Sequence, residues 1–174
     1  MKKVFLAFAI VAASFAANAQ TGKNQLSVGP EIGLSTTSGG GTYIGGTAKY
    51  MHGVGTAGQV TLTSGYVFDS ETEGGIKATV SQIPVLAGYR HYFGGLFVEP
   101  QAGYISSTLK VKDTDGGESY SFSDGAFGYA IGGGYALPAG LDLGVSFRNT
   151  AQSGATGAIV FRAAWNFNLG GSAK

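Results

Sequence analysis

The residues of this sequence that could carry out acid–base chemistry are few and scattered. The two histidines are His52 and His91; the first falls in a predicted turn and the second on the apolar side of a predicted strand. A histidine serves as a catalytic base when a nucleophile and an orienting group lie within hydrogen-bonding reach. No serine or aspartate lies at a spacing that would bring it to either histidine. The sequence therefore predicts no catalytic residue, and we expect the protein not to be an enzyme.

Carboxylates cluster in a second region, on both sides of a predicted glycine turn. They belong to Asp113, Asp115 and Glu118. Carboxylate oxygens bind Ca²⁺, but the twelve-residue spacing of an EF-hand loop is absent. We predict a solvated loop and no metal site. The glycine runs 39–41 and 132–134 lack the lysine of a phosphate-binding loop, so no cofactor is predicted either.

The composition narrows the class of protein. The chain has 174 residues, 31 glycines, no cysteine, 12% charged residues and a net charge of +1. The charged share is about half of the usual one, and the absence of cysteine excludes disulfides and thiolate metal sites. A net charge this close to zero gives no basic field for nucleic acid. Few charges, many glycines and 12% aromatic residues favour a barrel that faces lipid.

The N-terminus has the layout of an export signal. Lys2 and Lys3 precede the apolar run 4–17. The small residues Ala17 and Ala19 at its end form a typical cleavage pattern. A membrane anchor is the alternative, but a spanning helix needs about 20 apolar residues. The pattern favours a secretory signal peptide over residues 1–19. Residues 20–174 then form one domain.

Beyond residue 19 the hydrophobic pattern has a period of two, which is typical of β-strands. It divides the domain into eight segments: 26–34, 43–50, 59–68, 82–93, 96–104, 127–137, 141–148 and 159–169. One face of each segment is apolar or aromatic, and the other is small or polar. A soluble barrel would turn the apolar face inward, whereas a membrane barrel turns it toward lipid. The polar face is rich in glycine, alanine and serine, which fit a narrow lumen better than a solvated surface.

The predicted fold is therefore all-β: an eight-stranded antiparallel up-and-down transmembrane β-barrel preceded by a signal peptide. Short connections are expected at 52–56, 94–95 and 138–140, and longer polar ones at 36–41, 69–75, 111–119 and 150–157. Short periplasmic turns and longer outside loops are typical of such barrels. An even number of strands places both termini on the side of the short turns.

Two sets of side chains follow from the predicted faces. The first is a structural network of charges in the lumen: Glu31, Lys49, Arg90, Glu99, Asp142, Arg148 and Arg162. The second is a pair of aromatic girdles at the two membrane interfaces: Tyr50, Tyr89, Phe93, Tyr135, Trp165 and Phe167 in one, and Tyr66, Phe68, Tyr104, Phe127 and Phe147 in the other. The four cations and three anions of the first set are expected to pair, because an unpaired buried charge is costly.

One hairpin can be specified further. If Gly94 and Gly95 form a two-residue turn with both glycines at positive φ, Phe93 faces Leu96. Arg90 then lies opposite Glu99 on the predicted lumen face. The sequence thus predicts one particular ion pair.

Residues 83–93 (IPVLAGYRHYF), the turn at 94–95 and residues 96–104 (LFVEPQAGY) resemble the outer-membrane β-barrel family of Gram-negative bacteria. The similarity extends over 20–174 and is greatest to the small porin-like barrels of the Bacteroidetes, which share the OmpA/OmpX-type architecture. It implies a location in the outer membrane, contact with its lipid and lipopolysaccharide, and insertion by the barrel-assembly machinery. The acidic residues of the long loops, Asp69, Glu71, Glu73 and Asp124 among them, would meet divalent cations that bridge lipopolysaccharide.

The resemblance leaves the activity open, and the external partner is unknown. The leading hypothesis is a structural or adhesion-like interaction role with a lumen plugged by side chains, because about eight strands leave room only for side chains. The alternatives are a narrow porin for small solutes and a secreted, soluble, lipocalin-like barrel that binds an apolar ligand.

Overall fold

The structure, a computed structural model, describes residues 24–37, 40–113, 119–152 and 157–169. It has eight strands: β1 (Asn24–Ser35), β2 (Thr42–Val54), β3 (Gly58–Glu73), β4 (Ile76–Phe93), β5 (Leu96–Asp113), β6 (Ser119–Ala136), β7 (Leu141–Thr150) and β8 (Ala158–Asn168). Within these ranges, no helix has the length and apolar character needed to cross a membrane. The predicted signal peptide, residues 1–19, lies outside the described residues.

Each strand pairs antiparallel with its neighbours in sequence, and β1 closes the ring on β8. The eight-stranded up-and-down barrel is thus confirmed. Each pair of strands keeps one register over its whole length, so no bulge shifts a side chain from one face to the other. Both ends of the described chain lie at the same end of the barrel, where Gln25 pairs with Asn168.

Burial alternates along the strands as the period-two pattern predicts. In β1, for example, Ser27 and Glu31 are buried, whereas Val28 and Ile32 are exposed. The exposed apolar residues form the outside of the barrel, and polar residues fill most of the inside. The soluble alternative is therefore wrong, because a soluble barrel would bury its apolar face.

Four strands are at least six residues longer than the sequence pattern predicts. β3 and β4 continue through the expected loop 69–75 and are joined only by Gly74 and Gly75. β5 and β6 include the first and the last residues of the expected loop 111–119. The polar composition of these segments predicted loops. Their apolar and polar residues nevertheless alternate, and the segments form strands. β3 to β6 have 16 to 18 residues and the other four strands 10 to 13.

The hairpin between β4 and β5 has the predicted register: Phe93 pairs with Leu96, and Tyr92 with Phe97. Its turn differs from the expectation, because Gly94 has a φ of 70° whereas Gly95 does not adopt a positive φ. At Gly95 an added Cβ would lie 2.5 Å from the ring of Tyr135, so a larger residue there would displace this exposed side chain.

Gly94→Ala should lower the free energy of unfolding by about 1–2 kcal/mol, because an L side chain is strained at positive φ. The change creates no clash, since nothing lies within 4 Å of the added Cβ, so backbone strain alone is tested. Gly46→Ala is the matched control: its Cβ would meet no atom closer than 3.8 Å, and its φ is not positive. Urea titration of both variants in lipid vesicles measures the difference; equal stability would contradict the strain argument.

Candidate functional site

The charges inside the barrel meet around Glu99 of β5. Its carboxylate accepts hydrogen bonds from Arg90 Nη2 at 2.7 Å and from Lys49 Nζ at 2.7 Å. Thr61 Oγ1 and Gln101 Nε2 donate to its second oxygen at 2.8 and 3.0 Å. The predicted pair of Arg90 and Glu99 is thus present, and it belongs to a larger group. We call Lys49, Arg90, Glu99 and Asp142 the lumen cluster.

Arg90 is the centre of the lumen cluster, and only 1% of its surface is exposed. Its Nη1 donates to Asp142 of β7 while its Nε and Nη2 donate to Glu99. The guanidinium also lies over the ring of Phe97, with Cζ 3.7 Å from the ring centroid. A planar guanidinium suits this arrangement, because it can bind two carboxylates and an aromatic face at once.

A separate ion pair, outside the lumen cluster, joins β7 to β1 inside the barrel. Arg148 Nη1 and Nη2 donate to the two oxygens of Glu31 at 2.7 and 3.3 Å, a bidentate geometry that is stronger than a single contact. Thr47 Oγ1 donates to Glu31 as well, at 3.2 Å. The Nε of Arg148 is buried and has no hydrogen-bond partner among the residues that the structure describes.

The seventh predicted charge, Arg162 of β8, does not follow the expected pairing. Its Nη1 donates to Ser27 Oγ at 3.1 Å and its Nε to Thr47 Oγ1 at 2.9 Å, and it forms no ion pair with a carboxylate of the described chain. Glu31, Glu99 and Asp142 are already occupied by other cations. The lumen therefore keeps one positive charge in excess, which hydroxyl and carbonyl oxygens solvate.

Arg162→Gln should lower the free energy of unfolding by only about 1–2 kcal/mol, because it leaves hydroxyl acceptors short of donors but strands no carboxylate. Removal of Arg148 by the same change strands Glu31 and should cost more. Urea titrations of the two variants give the comparison. A larger loss of stability for Arg162→Gln than for Arg148→Gln would mean that Arg162 also stabilises a carboxylate with which it makes no direct contact.

Below the lumen cluster lies a polar layer that sequence reasoning missed. Tyr92 Oη donates to Gln59 Oε1 at 2.9 Å, Gln59 Nε2 donates to Gln25 Oε1 at 2.8 Å, and Gln25 Nε2 donates to Asn168 Oδ1 at 2.9 Å. These residues share the face of the charged ones in their strands. The same alternation that selected the charges would have selected them, had amides been counted as lumen residues.

The extended parts of β3 to β6 form a sheet that continues beyond the barrel at the end opposite to the chain termini. We call residues 69–73, 76–82, 105–113 and 119–126 the mouth sheet. On the outside of these strands the last large apolar residues are Phe68, Ile83, Tyr104 and Phe127. Beyond that level the outward positions are serine, threonine, glycine or lysine: Ser70, Thr72, Lys77, Thr79, Ser81, Ser106, Thr108, Lys110, Lys112, Ser119, Ser121, Ser123 and Gly125. The change marks the upper limit of the apolar band.

Ten of the eleven aromatic residues predicted for the girdles are exposed on the outside of the barrel, and Phe147 is half-buried. They lie at two levels, near the chain termini and near the upper limit of the apolar band. Anchoring at a membrane interface is typical of aromatic residues in such positions, and this role stays a prediction.

His52 and the acidic residues take other places than expected, whereas His91 lies on the apolar outer side of its strand, as predicted. His52 lies in β2, not in a turn; it is buried, and its Nδ1 is 2.7 Å from Asn24 Oδ1. His91 lies in β4 between the rings of Tyr89 and Phe93. Asp69 and Glu71 belong to β3 and share the lumen-side face of the mouth sheet, and Asp124 belongs to β6. Residues 114–118, which include Asp115 and Glu118, lie outside the described residues.

A comparison of the sequence with known families decides the class of barrel. The family described as outer membrane protein beta-barrel domain matches residues 4–170. The chain belongs to this outer-membrane barrel family. It is accordingly a small β-barrel protein of the Gram-negative outer membrane. No curated protein matches the sequence significantly.

Solved structures of other outer-membrane barrels share its fold. Ail, the attachment invasion locus protein of Yersinia pestis, in complex with the heparin analogue sucrose octasulfate, is 16% identical with a TM-score of 0.67, over 84% of this barrel and 99% of Ail. The N-terminal β-barrel domain of Pseudomonas aeruginosa OprF is 15% identical with a TM-score of 0.60, over 84% and 100%. Neisserial surface protein A is 12% identical with a TM-score of 0.58, over 84% and 97%. At these identities the likeness extends to the fold alone.

Proposed function

We propose that this outer-membrane barrel acts by interaction outside the cell, in an adhesion-like role, and not by transport through its lumen. The observation that carries the proposal is the mouth sheet. From Tyr104 to the end of β5 at Asp113 the strand continues past the apolar band, which at about 3.3 Å per residue and a strand tilt near 40° raises it roughly 20 Å above the lipid. Four of the eight strands are thus longer than a strand that only crosses the membrane needs to be.

The proposed orientation directs the mouth sheet to the cell exterior, because a chain that enters from the periplasm leaves both termini on the periplasmic side. The outer side of the mouth sheet then faces the headgroups of lipopolysaccharide. Lys77 and Lys112 are directly paired on this side, and Lys110 follows. All three are exposed, so we propose that they bind lipopolysaccharide phosphates directly, in place of the bridging cations expected from acidic loops. The barrel-assembly machinery would insert the chain.

A plugged lumen belongs to the same proposal. Arg90, Glu99 and Asp142 come from three strands and are at most 5% exposed, and their ion pairs cross the interior. We also propose a non-enzymatic role, since His52 contacts an asparagine and His91 contacts two aromatic rings.

The test compares cells that carry the full chain with cells that carry a barrel of reduced height. In the shortened variant, Ser70–Thr79 and Leu109–Phe122 are each replaced by Asn-Gly, which restores a two-residue hairpin turn. Retention on a surface coated with extracellular-matrix proteins should be several-fold higher for the full chain at equal surface levels. Equal retention would overturn the interaction role. In planar bilayers, a steady conductance of the purified protein would favour the narrow porin instead.

A further inference from the structure

The lumen-side face of the mouth sheet has the opposite polarity to the lumen below it. Strand pairing aligns Val80, Leu109 and Phe122 in one row, and Ala78, Val111 and Tyr120 in the next. Ile76 completes the patch at the end of β4. Tyr120 and Phe122 are both 68% exposed, Ile76 is 53% exposed and Leu109 is 41% exposed.

This patch lies above the apolar band, so lipid does not cover it. The other side of the same strands carries serine, threonine and lysine, and the mouth sheet is therefore an amphipathic sheet of one layer. A sheet with one apolar face is stable when that face packs against another element. Phe122, Ile76 and Leu109 stay exposed, so no element within the described ranges covers this part of the face, and a contiguous exposed apolar patch marks an interaction site.

We propose that this face binds a basic amphipathic α-helix of a partner protein. The apolar rows extend from β4 to β6, two strand spacings of about 4.8 Å, which gives a width of about 10 Å. An α-helix with its side chains is about 10–12 Å wide, whereas one added strand would cover a single spacing. The strands β7, β8, β1 and β2 end lower than the mouth sheet. Of the described residues that follow β7, Gln152 reaches the border of the face, where its Nε2 donates to Asp124 Oδ2 at 2.9 Å.

The charges beside the patch select a basic partner. Asp69 pairs with Val80 and Glu71 with Ala78, so two carboxylates lie on the same face at one border of the apolar rows. Asp124 follows Phe122 on this face in β6 and is exposed. The lysines of the mouth sheet lie on the opposite side and do not oppose a cation here. The apolar stripe of an amphipathic helix would pack against the apolar rows. Lysine or arginine along the borders of that stripe would pair with the carboxylates.

The inference rests on the proposed interaction role, and its test uses the full chain in phosphatidylcholine nanodiscs. The probe is a fluorescent 14-residue helical peptide with leucine along one stripe and lysine along both borders. A peptide of the same composition in scrambled order is the first control, and an extended peptide with strictly alternating leucine and lysine is the second. Binding to empty nanodiscs is subtracted. The helical peptide should bind at least tenfold tighter than either control.

Variants assign the binding to the face. Phe122→Ser combined with Leu109→Ser should weaken binding of the helical peptide at least tenfold, and Glu71→Gln combined with Asp69→Asn should weaken it several-fold and reduce its salt dependence. Ser121→Ala, on the other side of β6, should leave it unchanged. All four side chains of the first two variants lie outside the lumen cluster, and the heat-dependent gel mobility of each variant verifies its folding.

Equal binding of the helical and scrambled peptides would overturn the inference, and so would a loss in Ser121→Ala as large as that in the variant of Phe122 and Leu109. Tighter binding of the alternating peptide would also overturn it, because that result indicates strand addition at the edge of β6. If cells still depend on the mouth sheet for retention while no basic helix binds, the proposed function stands and the helix inference alone fails.

Discussion

Arg90→Gln should lower the free energy of unfolding by about 3–5 kcal/mol, because it removes one partner of a buried ion pair and leaves the other charge uncompensated. Asp142 loses the only ion-pair partner found for it in the described chain, and Glu99 retains Lys49. The contact of the guanidinium with the Phe97 ring is lost as well. Urea titration in lipid vesicles, with the folded fraction read from the gel mobility of unboiled samples, measures the change.

A double-mutant cycle isolates the pair of Arg90 and Glu99. Glu99→Gln alone should also destabilise the barrel, since it strands Lys49. The double variant should be more stable than the sum of the two losses predicts, with a coupling energy of about 1–3 kcal/mol. Strict additivity would show that the two side chains do not stabilise each other, whatever their separation.

Ala163→Arg and Val145→Arg should each cost about 2–4 kcal/mol, because a charge on the lipid face near the midplane is costly to bury in hydrocarbon. Both residues lie on the outside of the barrel and are exposed, and they form adjacent parts of the wall of β7 and β8. The same titration in vesicles measures the loss.

The control for this prediction is Ser123→Arg, on the outer side of the mouth sheet above the apolar band, which should be nearly neutral. Ser146→Arg is a poor control even though Ser146 faces the lumen. It shares a lumen cavity with the four cations Lys49, Arg90, Arg148 and Arg162, and a fifth cation there would add like-charge repulsion. Equal costs at Ala163 and Ser123 would contradict a membrane boundary between them.

The alternation of the sequence predicts the barrel and its facing, and the turn at Gly94 predicts the register that joins Arg90 to Glu99. The pairs of Lys49 with Glu99 and of Arg148 with Glu31 could not be predicted in this way. Their strands are not neighbours, and the side chains meet only because the closed sheet curves them toward a common interior. Pairing across a lumen depends on barrel geometry, which no local pattern contains.

The mouth sheet could have been recognised from the phase of the alternation. In β4 the apolar residues occupy odd positions from Ile83 onward and even positions in Ile76, Ala78 and Val80. With no bulge in the strand, this change of phase means that the apolar face moves from the outside to the inside of the wall. We predicted loops there because polar residues are frequent, and frequency is a weaker indicator than phase.

The turn that joins β3 to β4 has a practical consequence for protein engineering. Gly74 and Gly75 have φ values of 57° and 83°, as in the two-residue turns that close antiparallel ribbons most tightly, and the ribbon below them keeps one register to its base. Directly paired residues of β3 and β4 can therefore be added or removed without a change in the register of the rest of the barrel. In the proposed orientation, a foreign epitope inserted between Gly74 and Gly75 would be displayed outside the cell, at the tip of this ribbon and above the apolar band of the barrel.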